Sequence, residues 1–200
     1  MRNHKISQSK SQKFLGVLVD EKLSFKEHIN VVSNKISRAT GVIKKLSSFI
    51  PNDVLVKIYF SLVYSHLIYA TEIWGASSKV ALRRLNRHVD KTHRLLHSPI
   101  GLLPHNKVHK LFCPTRFFKY YVLKDDLYFH NKFSSQLAAH NFHTRFRANH
   151  LLTTPKINSL KVFSSFFYSS LKYWNTLPKS IRDANKLSIF KHKLKHFLQP

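Results

Sequence analysis

Phe25, Ile29, Val32, Ile36, Ala39, Ile43, Leu46 and Ile50 recur at steps of four and three residues, which holds them on one side of an α-helix for about seven turns. That seam constrains the fold more than any other feature. The first half of the chain has to be built around a long helix with one face turned to a core. Ser24-Phe25-Lys26-Glu27 fits a capping box, in which the serine oxygen accepts from an exposed amide and the glutamate reaches back, so the helix is expected to start near Ser24. Gly41 interrupts the seam's helix at a cost of about 1 kcal/mol relative to Ala, and a kink or a tight helix crossing is expected there. Lys26, Lys35, Arg38, Lys44 and Lys45 lie off the seam.

Upstream, Lys13 is followed by Phe14-Leu15-Gly16-Val17-Leu18-Val19, which reads as strand closed by an acidic turn at Asp20-Glu21. A glycine inside a strand implies either a bulge or the close approach of another backbone or a ligand at Gly16. Downstream, Pro51-Asn52-Asp53 stops the first helix and starts a second. Its apolar residues Val54, Leu55, Ile58, Tyr59, Leu62, Val63 and Leu67 leave little polar face, so a central position is expected. A third helix follows Ser77-Ser78, with Leu82, Leu85, Val89 and Leu96 inward and Arg83, Arg87, Lys91 and Arg94 as a basic stripe. "SPIGLLP", Ser98 to Pro104, is the clearest boundary signal. Beyond it, helices are expected around Arg116 to His130, Ser159 to Asn175 and Ala184 to Leu198, with a basic connector "HNFHTRFRANH" between the first two. In the last helix Leu187, Phe190, Leu194, Phe197 and Leu198 form one apolar face, with Lys191, Lys193 and Lys195 outside it. The fold expected is mainly α, a small N-terminal β hairpin leading into a helical bundle and then a second helical subdomain. The segments expected are 1–23, 24–98 and 105–200.

Thirty-four Lys and Arg stand against nine Asp and Glu, a net charge of +25 with His neutral. A solvated surface would intersperse acids in similar number, so the imbalance points to a polyanionic partner: RNA, DNA or their hybrid. It also disfavours self-association, and a monomer is expected. An anionic membrane surface is the rival, since basic helices with aromatic faces also bind lipid headgroups. No spanning segment is expected: "IYFSLVYSHLIYAT" is short, contains His66 and is bounded by Lys57 and Glu72. The apolar run from Phe14 to Val19 is too brief for a signal peptide, and a lone Cys113 excludes an internal disulfide framework. An intracellular compartment, nuclear or cytoplasmic, is expected.

Catalytic constellations are sparse. Asp125-Asp126 in "YVLKDDLYFH" could hold Mg²⁺, but no third carboxylate accompanies the pair, and partnership with neighbouring Lys or Arg explains it better. His105 with His109 and His192 with His196 are each at i, i+4, but lack a nearby Cys or an HExxH glutamate, so surface or phosphate-contacting histidines are expected. There is no GxSxG turn, and the glycines at 16, 41, 75 and 101 are singletons, so no phosphate loop exists. Packing accounts for Cys113 between Phe112 and Pro114. No cofactor and no autonomous enzyme are expected. Phosphate binding remains, through Lys35, Arg38, Lys44, Lys45, Arg83, Arg87, Lys91 and Arg94 and around Arg145 and Arg147.

Phe14, Leu15, Gly16, Val17, Asp20, Leu23, Ser24, Phe25, His28 and Ile29, followed by Tyr69, Trp74 and Gly75, form a pattern that resembles the C-terminal third of reverse transcriptases from LINE-type, jockey-like non-LTR retrotransposons. Later matches are His140, Thr144 and Arg145 in "HNFHTRF", Trp174, Asn175, Leu177 and Pro178 in "YWNTLP", and Phe190, Lys191 and Leu194. The resemblance implies that Lys13 to Gly16 correspond to a primer grip at the palm's edge. The helices after it would then form a thumb-like bundle that holds the template and primer duplex. The family's polymerase carboxylates lie before this hairpin, and few residues precede Phe14 here. The resemblance therefore implies a part that holds nucleic acid without catalysing, with palm and fingers supplied by a longer parent if at all.

Overall fold

The computed structural model describes residues 9–96, 102–134, 151–155 and 165–199, and is mainly helical with one small hairpin. Arg145, Arg147 and the connector that carries them lie outside the described residues, as does the whole stretch from 156 to 164. The chain divides into two compact units, Met1–His66 with Ser77–Leu96, and Leu67–Ala76 with His97–Pro200.

In the first unit β1 (Ser11–Phe14) pairs antiparallel with β2 (Val17–Asp20), Phe14 opposite Val17 and Lys13 opposite Leu18. Leu15 and Gly16 make the two-residue turn, with φ of 44° and 83°. Such a turn needs positive φ at both central positions, because only that hand matches the twist of the strands. Gly16 therefore serves a reversal of the chain rather than a close approach inside a strand, and the hairpin turns there instead of at Asp20-Glu21. Asp20 closes β2 and has another task. Its carboxylate accepts from the backbone N–H of Lys22 (3.1 Å), Ser24 (3.0 Å) and Phe25 (2.7 Å), and from the Ser24 hydroxyl (3.2 Å). Partial burial would raise its pKa, but these hydrogen bonds outweigh it and hold the carboxyl below the usual range. The capping box is consequently not formed. Ser24 gives its hydroxyl to a charged acceptor, the stronger partner, and Phe25 enters the helix from the left-handed region with φ of 55°.

The helix α1 (Lys26–Leu46) buries Ile29, Val32, Ile36, Ala39 and Ile43, the expected seam, and adds His28, Ser33 and Thr40 to the same face. Gly41 is on the exposed side, and a Cβ placed there would meet nothing within 4 Å, so it marks no tight crossing. Next come α2 (Asn52–Tyr59), a π-helical segment (Phe60–Tyr64) and α3 (Ser65–Ile68). The buried residues Leu55, Tyr59, Val63 and Leu67 follow one another at steps of four. On an ideal helix each such step overshoots a turn by about 40°, and the wider i→i+5 winding takes up part of that drift. Phe60 and Leu62 are 45% and 42% exposed, so Leu62 does not face inward and this helix is not central. The hub is α1, which packs against α5 (Lys79–Leu95), α2, the π-helical segment and β2. Polar contacts fix the register inside that apolar interface: Thr40 to Thr92 at 2.7 Å and the Tyr59 hydroxyl to His93 Nε2 at 2.9 Å.

The second unit holds α4 (Thr71–Trp74), α6 (His105–Tyr121), α7 (Leu127–Ser134), α8 (Phe166–Thr176), α9 (Lys179–Arg182) and α10 (Leu187–Leu198). In place of one helix from Arg116 to His130 there are two. α6 starts directly after Pro104 and runs through Pro114, and a break at residues 122–126, with Lys124 at φ 56°, separates it from α7. An interior proline costs about 3 kcal/mol, yet His105, His109, Cys113 and Phe117 at steps of four are all buried on the face it would disrupt, and packing of that face prevails. Phe118 stacks on Phe190 of α10 (centroids 4.4 Å apart), and Phe117 meets Trp174 of α8 (4.9 Å) and Phe133 of α7 (4.6 Å, edge to face). Asn175 clamps residue 152 in both directions, its Oδ1 accepting from Leu152 N–H (3.0 Å) and its Nδ2 donating to Leu152 C=O (2.7 Å). Phe190 and Leu194 of α10 are buried as expected, whereas Phe197, in the last turn, is 49% exposed.

Candidate nucleic-acid interface

The α5 stripe forms as its spacing requires. Ser78 caps the helix, its hydroxyl oxygen accepting from the Ala81 N–H at 3.3 Å. Leu82, Leu85, Val89 and Thr92 are buried, and Arg83, Arg87, Lys91 and Arg94 are all exposed on the opposite side. Among the described residues none of the four pairs with a carboxylate, although Asp90 lies on the same outer face. The stripe is therefore a line of unneutralised charge almost the full length of the helix.

The cations of α1 are also exposed and also lack carboxylate partners among the described residues, but they do not share one surface. Lys35, Arg38 and Lys45 leave the outer side of the helix. Lys44 follows Lys35 by nine residues, about two and a half turns, and leaves on the opposite flank. The hairpin tip presents Lys13, Phe14, Leu15 and Gly16 to solvent, with Phe14 67% and Leu15 75% exposed. These are large apolar side chains held out from the body by a tight turn.

The acidic pair and the two histidine pairs stand in different surroundings. Asp125 pairs with Lys119 at 3.3 Å, and Asp126 Oδ1 accepts from the Phe129 N–H at 3.1 Å, capping α7. His192 and His196 are exposed neighbours with ring centroids 4.5 Å apart. His105 and His109 are not surface residues at all. They are 1% and 2% exposed, because the α6 face that carries them is the face that packs. His105 stacks on Trp74 at 5.1 Å, and His109 lies between the Tyr173 hydroxyl (3.1 Å from Nδ1) and the Cys113 thiol (3.1 Å from Nε2). Burial lowers the pKa of His105 to about 4, helped by the nearby charge of His109 when protonated, and burial alone lowers that of His109 to about 4. Burial, then the charge of Glu72, pushes the Cys113 thiol far up. Near neutral pH these groups are uncharged, unlike the thiolate of an activated nucleophile. Among the described residues no group of three or more His, Cys, Asp or Glu is placed to hold a metal ion.

Gly75 is the counterpart of Gly41. A Cβ on it would fall 2.5 Å from the Thr71 carbonyl oxygen and 2.6 Å from His109 Cδ2, so only glycine lets α4 and α6 approach this closely. The basic residues missed by sequence reasoning are Arg116 and Lys119 on α6, which converge with Lys191 and Lys195 of α10 on one cavity. The i, i+4 spacing of the two lysines on α10 was visible; the helix that faces them was not.

No protein-family model, curated protein or solved structure matches the chain. Among the described residues no helix is long and apolar enough to cross a membrane.

Proposed function

We propose that this chain is the nucleic-acid-holding, non-catalytic C-terminal part of a non-LTR retrotransposon reverse transcriptase. In this reading α5 lies along the phosphate backbone of a template and primer duplex, and the hairpin tip reaches towards the primer strand. The observation that carries it is the α5 stripe, four exposed cations that pair with no carboxylate among the described residues, on one face of a helix whose other face is packed. Phosphate contacts of this kind position a polynucleotide without reading its sequence. RNA, DNA or their hybrid would be bound by a monomer inside the cell, with palm and fingers contributed by a longer parent protein.

The test is filter binding of a labelled duplex over a range of salt. Changing Arg83, Arg87, Lys91 and Arg94 together to Gln should flatten the slope of log K against log salt by about 0.9 for each phosphate that is no longer neutralised, up to roughly 3–4 in all. A charge-matched control, with the exposed Lys22, Lys110, Lys179 and Lys186 changed to Gln, should move it much less. Equal weakening in the two variants would instead mean that only net charge binds polyanions, as in a degenerate transposon relic. Vesicle binding that RNA fails to compete would favour a peripheral membrane protein.

A further inference from the structure

The second unit contains a cavity of about 400 Å³ lined by α6, α10 and Glu72, within the ~300–1,000 Å³ range of small-molecule sites. Its lining is mixed in chemistry. Leu111, Phe112 and Leu187 supply an apolar surface, and Arg116, Lys119, Lys191 and Lys195 supply cations. Leu187, Lys191 and Lys195 stand at i, i+4 and i+8 on α10, so they line one edge in sequence. The charges are only partly neutralised. Arg116 engages Glu72 at 3.4 Å, and Lys119 is drawn towards Asp125 at 3.3 Å. Lys191 and Lys195 are exposed and pair with no carboxylate among the described residues.

A ligand that satisfies both kinds of lining needs an apolar body and an anionic group. Inorganic phosphate would leave Phe112 and Leu187 uncovered, and an uncharged aromatic would leave the Lys191 and Lys195 ammonium groups without an anion. We propose that this cavity binds one nucleoside phosphate, the base against Phe112 and Leu187 and the phosphate between Lys191, Lys195 and Arg116. The ligand is either a free mononucleotide or a single unstacked nucleotide of a strand; the strand form rests on the nucleic-acid reading above, and the free form does not.

The experiment is a titration of the ¹⁵N-labelled full chain, followed by amide chemical shifts, with AMP, adenosine, inorganic phosphate and a six-nucleotide oligoadenylate. AMP should shift amides of residues 111–119 and 187–195 saturably, with an affinity at least tenfold above adenosine or phosphate. Lys191→Gln with Lys195→Gln, two exposed positions that leave the core untouched, should lower AMP affinity at least tenfold. Saturation by AMP but not by the oligonucleotide identifies a free nucleotide site, and saturation by both identifies a strand site. Phosphate binding as tightly as AMP, or AMP shifts confined to α5, overturns the proposal. The variant lacking the α5 stripe should retain AMP binding while losing duplex binding, so failure of the cavity and failure of the duplex surface are told apart.

Discussion

Acidification should unfold the second unit through His105 and His109, and the size of the effect follows from their burial. Each ring has a pKa of about 4 in the folded protein against 6.5 for an ordinary histidine. The unfolded chain therefore binds protons that the folded one refuses. Stability is fully present above pH 6.5 and is lost as pH falls towards 4. At pH 4.5 one such ring favours the unfolded state by about 2.5 kcal/mol, a large share of the ~5–15 kcal/mol stability of a typical domain. His105→Phe isolates the effect. The Phe ring can keep the stack on Trp74, and among the described residues neither nitrogen of His105 has a hydrogen-bond partner whose loss would offset the gain. The chain's two tryptophans, Trp74 and Trp174, both lie in this unit, so urea unfolding followed by tryptophan fluorescence reports on it directly. Parent and variant should have similar stability at pH 7.5, and the variant should be more stable by about 2.5 kcal/mol at pH 4.5. A parent stability that does not change between these pH values, or a variant that declines in parallel with it, would refute the reasoning, since +25 of net charge acts on both alike.

Three further measurements probe the backbone and the core. Gly41→Ala, on the open face of α1, should stabilise the first unit by about 0.5–1 kcal/mol, whereas Gly75→Ala should destabilise the second by more than that through collision with the Thr71 carbonyl; thermal melts of both variants check the opposite signs. Asn175→Asp keeps the acceptor for Leu152 N–H but loses the donor to its carbonyl, and should cost about 1–3 kcal/mol in urea unfolding. Leu15→Asn replaces a strained left-handed leucine by a residue that tolerates positive φ, and should slow amide exchange across β1 and β2 by a factor of several, about 1 kcal/mol.

The helices read from spacing alone are those whose buried residues keep to one face of the helix. The α1 seam and the division of α5 into apolar and basic sides both come from a 3.6-residue period that any packing of those helices must respect. The misreadings share another cause. At Ser24 two local signals competed, and the Asp20 carboxylate took the hydroxyl that the capping box required. At Pro114 a strong breaker was outweighed by the burial of residues eight positions apart. His105 and His109 looked like surface ligands because the pair is polar, and only the arrival of Trp74, Tyr173 and Gly75 from elsewhere in the chain encloses them.

Consecutive residues alone dictate that the chain is mainly helical, which face of each long helix is apolar, and that the exterior carries a large excess of cations, because periodicity and charge are local properties. Which cations stand together is a matter of packing between distant segments. That packing sealed a histidine pair in the core and brought Arg116 and Lys119 to Lys191 and Lys195 from some seventy residues away. Convergence of that kind depends on how helices cross, and crossing is fixed by the summed packing of many side chains, which no local pattern encodes.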